Sequence, residues 1–224
     1  MFYWFMKNLV AGPLLRTLFR PRLEGVENIP RDGAVILASN HLSFIDSVIL
    51  PLVIKRRIYF LAASTYFTGK GLGSWAVKHF LRATGMIPID RSGGKASEAS
   101  LQAGMSVLSK GNVLGIYPEG SRSRDGKMHR GRTGVARMVL ESGATVIPVA
   151  MIDTDKVMPS DGKGVKIQRI GISFGEPLDF SEFADQTTDH TTLRIITDRI
   201  MDAIRALSGQ AYVDEYGVQS KKKS

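Results

Sequence analysis

The 224-residue chain contains no cysteine. That absence excludes a disulfide framework, thiolate-ligated zinc, an iron–sulfur cluster and a thiol nucleophile, so any chemistry is built from His, Ser, Thr, carboxylates, Lys and Arg. A reducing, cytosolic side is compatible with it. Long apolar runs are also missing. The longest uncharged stretch, Gly33 to Ile45, is 13 residues and includes His41, short of the roughly 18 residues a membrane-spanning helix needs. Acidic residues are in deficit: 30 Lys and Arg stand against 21 Asp and Glu, a net charge of +9 with a pI near 9.9. The excess points to an anionic partner, whether nucleic acid, an acidic membrane surface or a phosphorylated substrate. With 43% hydrophobic and 23% charged residues, one globular core is affordable, and disordered or collagen-like classes are excluded.

The N-terminus, MFYWFMKNLVAGPLLRTLFRPR, opens on aromatics and then mixes Leu, Val and Phe with Lys7, Arg16, Arg20 and Arg22. This composition suits an interfacial helix over residues 1–21, its apolar groups entering the headgroup boundary and its cations facing anionic lipid. Pro13 is expected to kink it. The alternative is a helix docked on the protein's own core. A signal peptide is disfavoured, since no A-x-A-like cleavage site follows.

Further along, short β-rich runs alternate with helix-patterned segments, which predicts an α/β fold with a mostly parallel or mixed central sheet flanked by helices. Ala34–Ala38, Ile58–Leu61, Met86–Ile89, Val113–Tyr117 and Val146–Ala150 read as strands. Ser43–Ile54, Tyr66–Arg82, Gly94–Lys110 and Arg132–Ser142 read as helices, several closed by Gly85, Gly111 or Gly143. Val165–Phe174 alternates like a strand and Thr191–Leu207 like an amphipathic helix. Trp75 and neighbouring cations make Tyr66–Arg82 either a second membrane-facing helix or an ordinary helix on the sheet. A single domain is expected over residues 22–208, followed by a basic, flexible tail over 209–224.

Three polar clusters fall directly after strands: Asn40-His41 with Asp46, Asp90-Arg91, and Pro118-Glu119-Gly120-Ser121-Arg122-Ser123. Ligands of open α/β sheets bind beyond the carboxyl ends of the strands, so parallel strands would bring the clusters to one edge. In a continuous helix His41 and Asp46 would be turned by about 500° relative to each other, so pairing them requires a strand-to-helix turn. Ser43 as cap, with Asp46 three residues on, supplies one. Asp46 then either stabilises only the helix N-terminus or also orients His41, fixing its tautomer and leaving the other nitrogen to take a proton. The cations Arg91, Arg122, Arg124, Arg130 and Arg132 are individually ordinary surface charges, but together they suit phosphate oxygens. His79 and His129 read as surface or packing residues.

Other classes fit less well. No helix-turn-helix, RRM or KH signature accompanies the positive charge, which argues against nucleic acid. Gly120 to Gly126-Lys127 is one residue too long for a P-loop, with Met128 in place of Ser or Thr. One His with two carboxylates makes a poor closed zinc set, so no metal is expected. No G-x-S-x-G elbow is present.

NHLSFID (Asn40–Asp46), GMIPIDR (Gly85–Arg91), YPEGSRS (Tyr117–Ser123) and VIPVA (Val146–Ala150) resemble the four ordered blocks of the glycerolipid acyltransferase family. The bacterial PlsC-type 1-acyl-sn-glycerol-3-phosphate acyltransferases are the nearest pattern, over roughly residues 22 to 175. The resemblance implies that His41 deprotonates the free hydroxyl of a lysophospholipid, with Asp46 orienting it. It implies that Arg91 and Arg122 hold the acceptor phosphate and that Glu119, Gly120 and Ser121 shape the acceptor site. Ser121 stands where the block usually has Thr, and Ala62-Ala63-Ser64 lacks the Lys many members carry there. The implied reaction makes phosphatidic acid from lysophosphatidic acid and an acyl thioester of coenzyme A or acyl carrier protein. It needs no cofactor, and it takes place at the cytoplasmic membrane face. The alternatives are the same chemistry on another acceptor, such as glycerol-3-phosphate or a glycolipid, and a non-catalytic peripheral lipid-binding protein.

Overall fold

The structure is a computed structural model that describes residues 6–69, 71–89, 96–159, 164–183 and 189–217. A π-helical turn, Met6–Val10, leads into α1 (Ala11–Phe19). Pro13 lacks the N–H that would bond the Leu9 carbonyl, and the widened turn lies directly ahead of it. There follow β1 (Arg22–Glu24), β2 (Val35–Ser39), α2 (Asp46–Val53), β3 (Ile58–Ala63), α3 (Leu72–Ala83), β4 (Met86–Ile89), α4 (Ala96–Leu108) and β5 (Val113–Ile116). The second half adds β6 (Met128–His129), α5 (Gly134–Ser142), β7 (Thr145–Ile152), α6 (Thr154–Val157), β8 (Gly171–Phe174), α7 (His190–Ser208) and β9 (Tyr212–Val213).

Seven strands form one sheet in the order β1-β8-β7-β2-β5-β3-β4. Every neighbouring pair is parallel except β7 with β8, so the sheet is mixed. β2 lies at its centre with every residue buried, because helices cover both faces. On one face Val35, Leu37, Ile147 and Val149 pack with Phe19, Ile45, Ile49 and Leu50, from α1 and the start of α2. On the other, Ile36, Ala38 and Val146 pack with Leu108, Val135, Val139, Ile196 and Ile200, from α4, α5 and α7. The result is three layers, helices on both sides of a sheet.

Three expectations are corrected. The strand expected over Val165–Phe174 shortens to Gly171–Phe174, since the preceding backbone pairs elsewhere: Lys166 N donates to the Val157 carbonyl and Ile170 N to that of Phe19. Lys7 and Arg16, expected to face lipid, turn inward. The Lys7 ammonium donates to the Ile54 carbonyl and Arg16 to that of Leu52 at 2.7 Å, satisfying carbonyls at the C-terminal end of α2 that have no helical partner. Burial, with the Arg16 charge adding to it, lowers the Lys7 pKa to about 8. The N-terminal helix is docked on the core along the face of Phe19, while Leu9 and Leu14 remain 59% and 56% exposed. Third, residues 209–217 of the expected tail fold back, β9 pairing in parallel with β6 in a second, two-stranded sheet. Residues 218–224 lie outside the described residues. No helix among the described residues is long and apolar enough to cross a membrane.

At the opposite edge of the sheet from the polar clusters, Arg56 ties the loops before β2 and β5 together. Its guanidinium donates to the carbonyls of Pro30 at 3.0 Å, Gly33 at 2.6 Å and Gly111 at 2.7 Å. Arg56→Ala leaves these carbonyls without their charged donor and is expected to cost on the order of 2 kcal/mol, or about 4–8 °C in Tm for a domain of this size. Thermal unfolding followed by circular dichroism measures it, and an unchanged Tm would show that solvent replaces the donor fully.

Candidate active site

β2 ends at Ser39, and the next residue, Asn40, continues its pairing with β7 through its side chain. Asn40 Oδ1 accepts from Met151 N at 2.7 Å, while Nδ2 donates to the Met151 carbonyl at 2.9 Å and to Gln210 Oε1 at 2.6 Å. An amide presents one acceptor and two donors, so Asn is suited to substitute for a strand residue in this way. The chain then turns sharply, and His41 emerges at the carboxyl edge of the sheet.

The turn is organised by one oxygen. Asp46, fully buried in the first turn of α2, accepts at Oδ2 from Leu42 N at 2.9 Å, from Ser43 N at 2.8 Å and from His41 Nδ1 at 2.9 Å. Asp46 therefore reaches back to Ser43 as a capping box requires. The reciprocal bond differs from expectation: Ser43 Oγ donates to the Met158 carbonyl at 2.7 Å, and its contact to the Ile45 N–H is 3.4 Å. Because that carboxylate oxygen already accepts two main-chain N–H groups, the network assigns the imidazole proton to Nδ1 and the lone pair to Nε2.

The imidazole is also held by its face. Tyr117, next after β5, stacks on it with centroids 3.8 Å apart and planes 9° from parallel, and Phe60 of β3 lies behind Tyr117 at 5.5 Å. The Tyr117 hydroxyl is 2.8 Å from Ser47 Oγ, the residue after Asp46. Burial, reinforced by the Asp46 charge and opposed by the Ser47 hydrogen bond, pushes the phenol well above its ordinary value, so it stays protonated.

Tyr117 opens a turn closed by Gly120 N donating to the Tyr117 carbonyl at 2.9 Å, with Pro118 at the position where its fixed φ is favoured. Gly120 has φ +77°, and a Cβ there would lie 2.9 Å from Arg132 Nε. Both the backbone conformation and the close approach call for glycine. Ser123 N donates to the His41 carbonyl at 2.7 Å, which ties this loop to the turn after β2. Glu119 is 2% exposed; Oε2 accepts from His129 N at 2.9 Å, and Oε1 has no partner among the described residues. Burial lifts its pKa to about 7, opposed by the N–H groups of His129 and His41 and by the His129 charge, with Asp125 adding slightly to the rise.

The structure thus brings His41, Asp46, Glu119, Gly120, Ser121 and Arg122 to one sheet edge, as parallel pairing of β2 with β5 requires. Arg122 is half-buried, and among the described residues its guanidinium has no hydrogen bond or ion pair. Arg91, with Asp90 and Lys70, lies outside the described residues. Sequence reasoning missed Tyr117 as a ring partner of His41, and its reading of His129 as a surface or packing residue did not include the main-chain bond that holds Glu119. An aromatic residue directly before Pro-Glu-Gly was the available signal for the first; the second, a main-chain bond, carries no signal in residue identity.

The Acyltransferase family model matches residues 20–152, more than half of the chain, and the protein belongs to that family. A 1-acyl-sn-glycerol-3-phosphate acyltransferase of Bacillus subtilis is 28% identical over 82% of this chain and 86% of its own length. Chloroplastic enzymes of the same name from Arabidopsis thaliana and Brassica napus are 28% and 27% identical over 73% of this chain. The chain spans about half the length of these plant relatives, 45% and 46%. The crystal structure of the 1-acyl-sn-glycerophosphate acyltransferase PlsC from Thermotoga maritima shares the fold, with a TM-score of 0.65 at 20% identity, covering 92% of this chain and 86% of that one.

The buried Glu119 sets a pH dependence. Its carboxyl binds a proton more tightly when folded, near 7, than at the ordinary 4.5, so the folded state holds the extra proton between these values. Stability is then fully present below the lower pKa and falls as pH rises through the folded one, by on the order of 3 kcal/mol. Urea denaturation at about pH 5 and about pH 8 should show this loss in the wild type and little of it in Glu119→Gln. The same loss in both proteins would assign it to another group.

Proposed function

We propose that the protein is an O-acyltransferase that moves an acyl chain from acyl-CoA or acyl-ACP to the free hydroxyl of 1-acyl-sn-glycerol-3-phosphate, making phosphatidic acid. The observation that carries this reading is the His41 imidazole. It is tied through Nδ1 to a buried carboxylate and stacked on Tyr117, leaving Nε2 as an oriented base beside an arginine-bearing loop. The names of the Bacillus and plant relatives support the acceptor.

The chemistry needs little more. His41 Nε2 takes the acceptor's hydroxyl proton as that oxygen attacks the thioester carbonyl, and Asp46 stabilises the imidazolium formed. Collapse of the tetrahedral intermediate breaks the carbon–sulfur bond, and the departing thiolate takes the proton back from His41. Arg122, together with Arg91, binds the acceptor phosphate through charge-assisted hydrogen bonds, and Glu119, Gly120 and Ser121 form the adjoining wall. The thioester is already activated, so positioning and proton transfer suffice without a cofactor.

The same reading places the protein on the cytoplasmic face of the cell membrane as a peripheral protein. Leu9 and Leu14, on the open side of the N-terminal helix, supply the apolar contact, and the net positive charge supplies attraction to anionic lipid.

Purified protein in mild detergent, given 1-oleoyl-lysophosphatidic acid and palmitoyl-CoA, is expected to release CoA to a thiol reagent and form phosphatidic acid by mass spectrometry. The cysteine-free chain gives no thiol background. His41→Ala should lose about 10²–10⁴-fold in turnover with its circular dichroism spectrum unchanged. CoA release with a different lipid would move the acceptor; silence with every acceptor, alongside intact vesicle binding, would leave a lipid-binding protein. Replacing both Leu9 and Leu14 by Asp should reduce co-sedimentation with anionic vesicles several-fold while leaving turnover of detergent-solubilised substrate in place. Undiminished co-sedimentation would assign membrane contact to another surface.

A further inference from the structure

Among the described residues, several arginines are tied into the fold. Arg56, Arg194 and Arg16 direct their N–H groups at main-chain carbonyls or carboxylates of the fold itself. Arg122 and Arg132 do not: among the described residues neither guanidinium donates a hydrogen bond or joins an ion pair. Both lie between β5 and α5, Arg122 before β6 and Arg132 after it, and the Arg132 side chain lies directly on Gly120, its Nε 2.9 Å from where a Cβ would stand.

What holds Arg132 in place comes from the far end of the chain. The Tyr216 ring lies 5.2 Å from the Arg132 guanidinium carbon and 5.6 Å from that of Arg130, whose Nε is 3.5 Å from Asp214 Oδ1. The segment bearing Tyr216 is anchored along its length. β9 pairs with β6, Met128 N donates to the Ala211 carbonyl at 2.9 Å, and Arg130 N donates to the Glu215 carbonyl at 3.0 Å. Gln210 bridges both parts of the site, donating to the Gly126 carbonyl at 2.8 Å and accepting from Asn40, the residue before His41. Beyond Tyr216, a Cβ at Gly217 would sit 3.3 Å from Ser121 Oγ. An aromatic face fixes the plane of a guanidinium while leaving its edge N–H groups free for a ligand, and a forked set of charged donors suits a phosphomonoester.

We propose that residues 209–217 form a strap that completes the phosphate site of the acceptor. Tyr216 positions Arg132 against the Gly120 turn, and Arg132 joins Arg122 in binding the phosphomonoester. This rests on the acyltransferase reading above for the identity of the acceptor, though not for the anion site itself. Tyr216 is a positioning residue and Arg132 a binding residue.

Two measurements on the whole 224-residue chain test it. The first is the affinity for inorganic phosphate by calorimetry, which needs no turnover; the second is the KM for lysophosphatidic acid set against the KM for acyl-CoA. Arg132→Ala is expected to weaken phosphate binding and raise the acceptor KM about tenfold. Tyr216→Ala should do so about three- to fivefold, the size of a partly exposed cation–π contact, whereas Tyr216→Phe, which keeps the ring, restores both. The KM for acyl-CoA stays where it was. Tyr216 is 49% exposed, so its loss leaves the core intact, and matching thermal midpoints check this. If both alanine variants bind phosphate and lysophosphatidic acid as the wild type does, the strap has no part in the site and the proposal falls. A rise in the acyl-CoA KM alone overturns it in favour of the donor's phosphates. If the wild type acylates no lysophosphatidic acid while phosphate binding still weakens in both variants, the anion site stands and the acceptor reading falls.

Discussion

One buried oxygen atom, Asp46 Oδ2, organises the functional edge of this protein. Three donors on three consecutive residues converge on it: an imidazole nitrogen and two main-chain N–H groups. The main-chain pair shapes the turn that takes the chain out of β2 and into α2, and the same bonds determine where the imidazole points. Local folding and side-chain orientation are therefore one event. The neighbouring residue, Ser47, extends the arrangement to the Tyr117 hydroxyl, so the end of β5 is set against the same turn. The tautomer and ring plane of His41 are thereby decided by the fold, before any ligand arrives.

The sheet supplies the remaining constraint. Parallel pairing of β2 with β5 on one side and β7 on the other puts three strand ends at one edge. The Asn40 amide prolongs the β2–β7 ladder by one step after the strand itself has ended. A side-chain substitute for a strand residue lets the backbone leave the sheet plane without leaving the Met151 peptide groups unpaired in the interior. The 3.8 Å stack of His41 on Tyr117 depends on that departure point.

How much of this was legible in the sequence follows from the range of each interaction. The His41–Asp46 pairing was readable because helix geometry rules it out in a continuous helix and demands a turn, and every group in it lies within a few residues. The shared edge was readable from the position of each cluster after a strand, although the strand order was not. Lys7 and Arg16 were misread because charge alone does not distinguish a cation facing lipid from one closing a helix end 36 to 47 residues away. The fold of residues 209–217 was invisible for the same reason. β9 is two residues long and its partner β6 lies 84 positions earlier, so neither alternation nor composition marks it. Tyr117 lay inside a recognised block, yet its ring contact crosses from β5 to the turn after β2, a distance that no local pattern spans.

The closing of α2 by Lys7 and Arg16 bears on more than the helix end. α2 carries the Asp46 carboxylate in its first turn and receives the N-terminal segment at its last. Its eight residues make a strut about 12 Å long. Whatever surface the exposed Leu9 and Leu14 rest on is consequently held at a fixed standoff from the imidazole. The distance between that apolar surface and the His41 imidazole is thus set by a helix length, a spacing that the fold itself carries as a gauge.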